Sequence, residues 1–188
     1  MREIRLTESE RSTALAVGVV IARERTDHPW QEYRWSPVEI VIGRPDLRTG
    51  QVISESATRI DYYAGIANIE LHRKETPAYI VNLENTPPSV YVVLRDADED
   101  DAGNNDLPYV VEAVTVSPFE AQDFLDTGEE IVEPLDMPPS LLAWLERFVA
   151  EHHEEEEFIK RKRDRLDISQ EKFGQEPLEI IRRRKRPQ

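Results

Sequence analysis

The sequence predicts an α+β fold: a curled antiparallel sheet or partly open barrel of about seven strands, followed by two helices and a charged tail. Three observations carry that prediction. Apolar residues alternate with period two in short runs up to residue 116, and turn residues separate the runs at hairpin-like spacing. After residue 117 the period lengthens to that of a helix. After Val149 the apolar periodicity is lost, and at Lys160 the charge inverts. Strands first and helices last favour an antiparallel sheet with its helices grouped together.

Residues 1–12 show no periodicity and read as a flexible lead-in. Residues 13–23 form a strand, with Leu15, Val17, Val19 and Ile21 on one face. Ala14, Ala16, Gly18 and Ala22 lie on the other, broken only by Val20, and small side chains there let another element come close. Asp27-His28-Pro29-Trp30 is a loop, and residues 33–42 return as a strand in which Pro37 signals an edge or a bulge. Residues 43–55 carry turn signals and are expected as a loop. Residues 59–63 and 67–73 are expected to form a hairpin around Ala64-Gly65, Ile60 and Tyr62 facing Ile69 and Leu71. Tyr79, Val81 and Leu83 alternate in a further strand, Pro87-Pro88 turns the chain, and residues 90–95 and 109–116 complete the set. Between the last two lies an acidic loop, residues 96–106.

Residues 114–149 mark the change of regime. Ser117-Pro118-Phe119-Glu120 is a helix start, with the Ser117 hydroxyl as cap, Pro118 where a missing N–H costs nothing, and Glu120 placed to close a capping box. That helix is expected to reach Asp126 and stop at Gly128. Pro134 and Pro138-Pro139 forbid a helix through the connector. A second helix then opens near Ser140 with Leu141, Leu142, Trp144, Leu145, Phe148 and Val149 on one face, Trp144 at its centre, and continues through the glutamates to residue 159.

The chain has 188 residues, enough for one domain with a sizeable core, expected over residues 13–159. The net charge of −14 is unevenly placed: residues 160–188 carry eleven Lys or Arg against five Asp or Glu, leaving −20 on the rest. The basic tail, 160–188, is expected to be disordered. The acidic body should repel nucleic acid and anionic membrane, so neither is expected as a partner of the body. No cysteine is present, so there is no disulfide, thiolate metal site or cysteine nucleophile. No apolar run approaches the roughly 20 residues of a membrane helix. Residues 1–11 are polar throughout, unlike a secretory leader. A cytoplasmic location is expected.

The chemical constellations are weak. His152-His153 beside Glu151 and four more glutamates lacks the i, i+4 spacing that converges two rings on one metal, so a solvated helical face is expected. Asp96, Asp98 and Asp100 alternate like the start of a calcium loop, but Asp101 and Leu107 stand where Gly and Glu are needed. His28 and His72 have no nucleophile motif near them, and His72 alternates with Glu70 on an outward face. Trp30 and Trp35 are expected to close a core end. The scattered glycines make no phosphate loop. The terminal RRRKR has no interleaved aromatic residue. No catalytic residue, cofactor site or metal site is assigned, and an enzyme is disfavoured.

Three segments carry a family resemblance: VGVVIARERTDHPWQEYRWSPVEI, YYAGIANIELHRKETPAYIVNLENTPPSVYVVLR, and the run from VTVSPFEAQDFLDTGEEIVEP to FIKRKRDR. Over about residues 16–165 the chain resembles an uncharacterised bacterial family, one of the domains of unknown function. Its genes tend to neighbour those of molybdenum-dependent formate dehydrogenase and its maturation factors. The resemblance implies an accessory or assembly protein that binds a formate dehydrogenase subunit or chaperone, and transfers no site residue. The acidic body beside a dense basic run points to Lys160, Arg161, Lys162, Arg163 and Arg165 as partner-binding residues. Two alternatives remain open: a small-molecule binder or enzyme using the barrel interior, lined by Tyr62, Tyr63, His72 and Tyr79, and nucleic-acid binding through the tail. Oligomeric state is not encoded in any of these features.

Overall fold

The longest alternation in the sequence becomes the longest strand. The computed structural model describes residues 12–43, 46–98, 101 and 107–153. Strand β1 (Ser12–His28) turns at Pro29-Trp30 into β2 (Gln31–Val41). Strands β3 (Val52–Glu55) and β4 (Arg59–His72) complete a four-stranded antiparallel sheet of order β2-β1-β4-β3. The centre of β1, from Val17 to Ala22, is buried on both faces, whereas Ala14 and Ala16 are exposed. The expectation of a close neighbour over the small residues is met at Gly18. A Cβ there would lie 2.6 Å from the Tyr63 ring and 2.7 Å from Val41, so only glycine lets β4 seat that tyrosine. Pro37 sits on an edge strand beside a register shift, between Val20↔Glu39 and Ile21↔Pro37, where its missing donor is tolerated.

The sequence expectations for residues 59–83 need correcting. The expected hairpin 59–63/67–73 is one continuous strand, β4. Gly65 does take positive φ (132°), but as a bulge: Val19 pairs with Gly65 and Val20 with Tyr63, leaving Ala64 as the extra residue. The long β1 supplies ladder partners from Glu24↔Arg59 to Ser12↔His72, so nothing calls for a reversal. The expected strand around Tyr79, Val81 and Leu83 is helix α1 (Thr76–Leu83). Pro77 in its first turn is compatible with a helix start, and the buried positions Ala78, Tyr79 and Asn82 follow helical spacing. A short apolar run can satisfy both periods, and here the proline was the better signal. A single 3₁₀ turn, Arg73–Glu75, joins β4 to α1.

The second sheet is β6-β5-β7, from β5 (Ser89–Asp96), β6 (Tyr109–Thr115) and β7 (Ile131–Asp136). Strands β3 and β7 lie where only a loop and a connector were expected. All four β3 residues are exposed, so no alternation marks it. In β7, Pro134 pairs with Tyr91 on the outermost strand, where a missing donor is harmless. The fold is thus two antiparallel sheets, not one curled sheet. β4 runs beside β6 and β2 beside β7, but no ladder joins either pair, so no barrel closes among the described residues.

Helix α2 (Pro118–Thr127) starts and stops as predicted, with Gly128 left-handed at its end (φ 72°). Its cap differs in one respect. Ser117 Oγ accepts from the Glu120 N–H at 3.3 Å, but the Ser117 N–H donates to Thr115 Oγ1, whose hydroxyl donates to the Glu120 carboxylate at 2.6 Å. The capping box is closed through Thr115. Helix α3 (Pro139–His152) ends earlier than expected, with His153 extended; residues 154–159 lie outside the described ones. Leu141, Leu145 and Phe148 are its buried residues, and they join one core with Val17, Val19 and Ile21 of β1, Ile69 and Leu71 of β4, and Val90, Val92 and Leu94 of β5. Trp144 is only half-buried at the edge of that face.

Candidate functional site

Four features could carry function, and each follows from how the strands meet. The first is a groove of about 330 Å³ where β4 passes β6 without pairing. Glu70 and His72 from β4, Glu75 from the 3₁₀ turn, Glu112 from β6 and Glu120 from α2 line it. His72 Nε2 lies 3.5 Å from the Glu70 carboxylate, and Glu120 is engaged by Thr115. Among the described residues, no three His, Cys, Asp or Glu side chains are grouped to hold a metal.

The second is Tyr79, whose hydroxyl bonds to two residues of this groove. Buried Tyr79 donates its hydroxyl to Glu75 at 3.2 Å and accepts the His72 backbone N–H at 3.0 Å. Burial, with the Glu75 carboxylate beside it, pushes this hydroxyl well above its usual range, so it stays protonated. The proposed lining residues Tyr62, Tyr63, His72 and Tyr79 do not converge. Tyr63 covers Gly18, whereas Tyr62 stacks on Trp35 at 5.5 Å between centroids. Tyr79 is in the core, and His72 lines the groove. With no closed barrel there is no common interior for them, which corrects that expectation.

The third feature is the half of the four-stranded sheet around the β1–β2 tip. Arg23 places its guanidinium 4.8 Å over Tyr33, 6.0 Å over Trp35 and 5.8 Å over Tyr62, and Tyr109 of β6 packs at 6.4 Å from Trp35. Trp35 closes a core end as expected. Trp30 does not: it stands at the tip, 90% exposed, because the two-residue turn carries it past any partner strand. Val52 and Ile53 on β3 and Tyr33 on β2 are also exposed large hydrophobic residues of this half. The signal that could have found β3 was its two adjacent apolar residues between turns.

The fourth is the acidic loop. Arg95 donates to Asp101 at 2.7 Å and to Glu112 at 2.9 Å, and Asp98 and Asp101 accept each other's backbone N–H groups. The hydrogen bond from Arg95 holds the Asp101 carboxyl below its usual range. These carboxylates are turned onto an arginine, not gathered around a vacant centre.

The histidine pair is less solvated than expected: His152 Nδ1 accepts from Arg73 Nε at 3.1 Å, and His153 Nδ1 lies 3.3 Å from Thr76 Oγ1. The residue that sequence reasoning missed is Asn82. It is fully buried; its amide donates to the Ser89 and Val116 carbonyls at 2.7 Å each, and its carbonyl accepts the Ser89 N–H at 3.0 Å. It clips α1 to the first residue of β5 and to the residue that follows β6. Lys160, Arg161, Lys162, Arg163 and Arg165, the expected partner-binding residues, lie outside the described residues, as does the terminal RRRKR.

No curated protein and no solved structure matches the chain. A family model does match, over residues 16–162, and the chain belongs to that family, described as protein of unknown function (DUF3305).

Proposed function

We propose that this chain is a non-enzymatic accessory or assembly protein whose partner is a formate dehydrogenase-type complex or one of its maturation factors, encountered in the cytoplasm. The observation that carries the docking role is Trp30, a tryptophan 90% exposed at a strand tip with Tyr33, Val52 and Ile53 also exposed in the same half of the sheet. Folding does not bury these side chains, whereas tryptophan and tyrosine are the residues that most often anchor interfaces. The choice of partner rests on the gene neighbourhood that the resemblance implies, in a bacterial setting.

The basic run Lys160, Arg161, Lys162, Arg163 and Arg165 supplies the second half of the reading. Surface ion pairs within one chain contribute only about 0–1 kcal/mol each, so stability offers little reason for such density. Several cations meeting an acidic patch would raise the association rate and fix orientation. Affinity purification of the full chain from its native organism is the test. A formate dehydrogenase subunit or maturation factor should co-elute in stoichiometric amount; elution of the chain alone, or with unrelated proteins only, would overturn the assignment. With that partner in hand, replacing the five basic residues by alanine should slow association at low salt and leave the melting midpoint unchanged. Equal association rates would remove the basic run from the interface.

A second reading, a small-molecule binder, is favoured by one observation, the open groove between β4 and β6. Its carboxylate lining suits a cationic ligand, and a thermal-shift series with organic amines would reveal such a site.

A further inference from the structure

Three arginines of the two sheets are answered by carboxylates: Arg34 by Glu133, Arg59 by Glu24 and Asp61, and Arg95 by Asp101 and Glu112. Arg23, in the middle of the four-stranded sheet, is answered by rings. The register places them. Arg23 pairs with Trp35, while Tyr33 pairs with Arg25 and Tyr62 with Ile21. Those positions lie two residues either way along β1, so all three rings share the face of Arg23. Its guanidinium sits over each of them, and Tyr109 packs on Trp35 from β6. The half-buried Arg23 side chain has no hydrogen-bond or ion-pair partner among the described residues. A ring attracts a cation without taking up its N–H donors, as a carboxylate would. Contact with three rings also restricts the side chain, so less freedom is lost when a ligand takes it up.

We propose that Arg23 is the anion-recognition point of the docking surface and donates to a carboxylate in an acidic, partly apolar segment of the partner. The inference rests on the docking reading and adds the chemistry of the bound segment. Val52 pairs with Tyr62, so exposed apolar surface continues from the rings onto β3, and exposed Tyr33 continues it onto β2. A segment with a carboxylate between apolar residues matches that arrangement. Nucleic acid does not. A phosphodiester chain needs several cations along its path. Arg34 and Arg59 are already committed to carboxylates of this chain, and the body around them is strongly acidic. An acidic partner is also what the basic run at 160–165 calls for.

The test follows the Arg23 Nε–Hε resonance of the full chain, identified by its absence in Arg23→Lys. The chain is titrated at constant ionic strength with short peptides that alternate leucine with glutamate, glutamine or lysine. The glutamate peptide should shift the resonance; the other two should not. Because the basic tail also attracts an acidic peptide, this resonance, which reports Arg23 alone, decides. Fluorescence polarisation of the labelled glutamate peptide then gives affinities. Arg23→Met, which keeps the apolar stem, should weaken binding roughly tenfold, the loss of a charge-assisted contact. Arg25→Gln removes the same charge from the same strand, where no ring holds it, and should change affinity less than about twofold. A resonance unmoved by the glutamate peptide would overturn the inference. So would an equal shift with the glutamine peptide, an Arg25→Gln loss matching that of Arg23→Met, or a larger shift with a uridine oligonucleotide. The role of Trp30 is read separately by partner recovery, so failure at Arg23 is distinguishable from failure of the docking reading.

Discussion

The wall between β1, β4, β5 and α3 and the outer half of the four-stranded sheet are both rich in apolar side chains, but the first satisfies most of them internally. In the wall Ile66 of β4 stays exposed, whereas Tyr63 fills the space over Gly18, Leu141 and Leu145 are fully buried, and Asn82 has its amide and carbonyl engaged. In the outer half Trp30, Tyr33, Val52 and Ile53 remain exposed on regular strands. The same residue types therefore mean different things. Where they are packed they report stability, and where a strand tip holds them in water they point to something that covers them. Substitutions should separate the two regions by which observable they move.

The largest effect is expected at Asn82. Asn82→Leu removes the partners of the Ser89 N–H and of the Ser89 and Val116 carbonyls in a dry environment. With about 1–3 kcal/mol for each buried group left unpaired, a loss of about 3–5 kcal/mol is expected in urea unfolding. A loss below 1 kcal/mol would mean water enters that corner. Next, Leu145→Ala should cost about 3 kcal/mol and Trp144→Ala about 1 kcal/mol, since the leucine is fully buried and the tryptophan sits at the rim. The reverse order would put Trp144 at the centre of the helix face after all.

A smaller effect comes from alkaline pH. Burial raises the Tyr79 hydroxyl, and Tyr63 is raised by burial with Asp46 adding to it. For an acid whose folded value lies above its unfolded value, the contribution is fully present below the unfolded value and is lost as pH rises through the folded one. Stability should thus hold to about pH 10 and fall above it. Tyr79→Phe should lower the neutral-pH stability by about 1 kcal/mol, since the His72 N–H loses its acceptor, and should flatten the alkaline decline. An unchanged alkaline limb would contradict the assignment.

The sequence made the strongly periodic elements legible. β1, β2, β5, β6, α2 and the start of α3 lie where alternation, Pro and Gly place them. What it hid follows from tertiary context. Gly65 has the φ of a turn but sits in a strand because β1 pairs with it on both sides of the bulge. β3 and β7 are edge strands that need no alternation or tolerate a proline. The groove was illegible because its carboxylates come from four elements between residues 70 and 120. The Arg73–His152 contact spans 79 positions, which no local pattern encodes.

The most direct test of the docking account compares wild type with the double variant Trp30→Ala/Ile53→Ser by thermal melting and by affinity purification on the same preparations. Both residues are exposed, so the melting midpoint should move by less than about 2 °C. Recovery of the proposed partner should fall at least roughly tenfold, as for loss of an interface anchor. Partner recovery equal to wild type, or a large drop in the melting midpoint, would show that this half of the sheet serves the fold and not the partner.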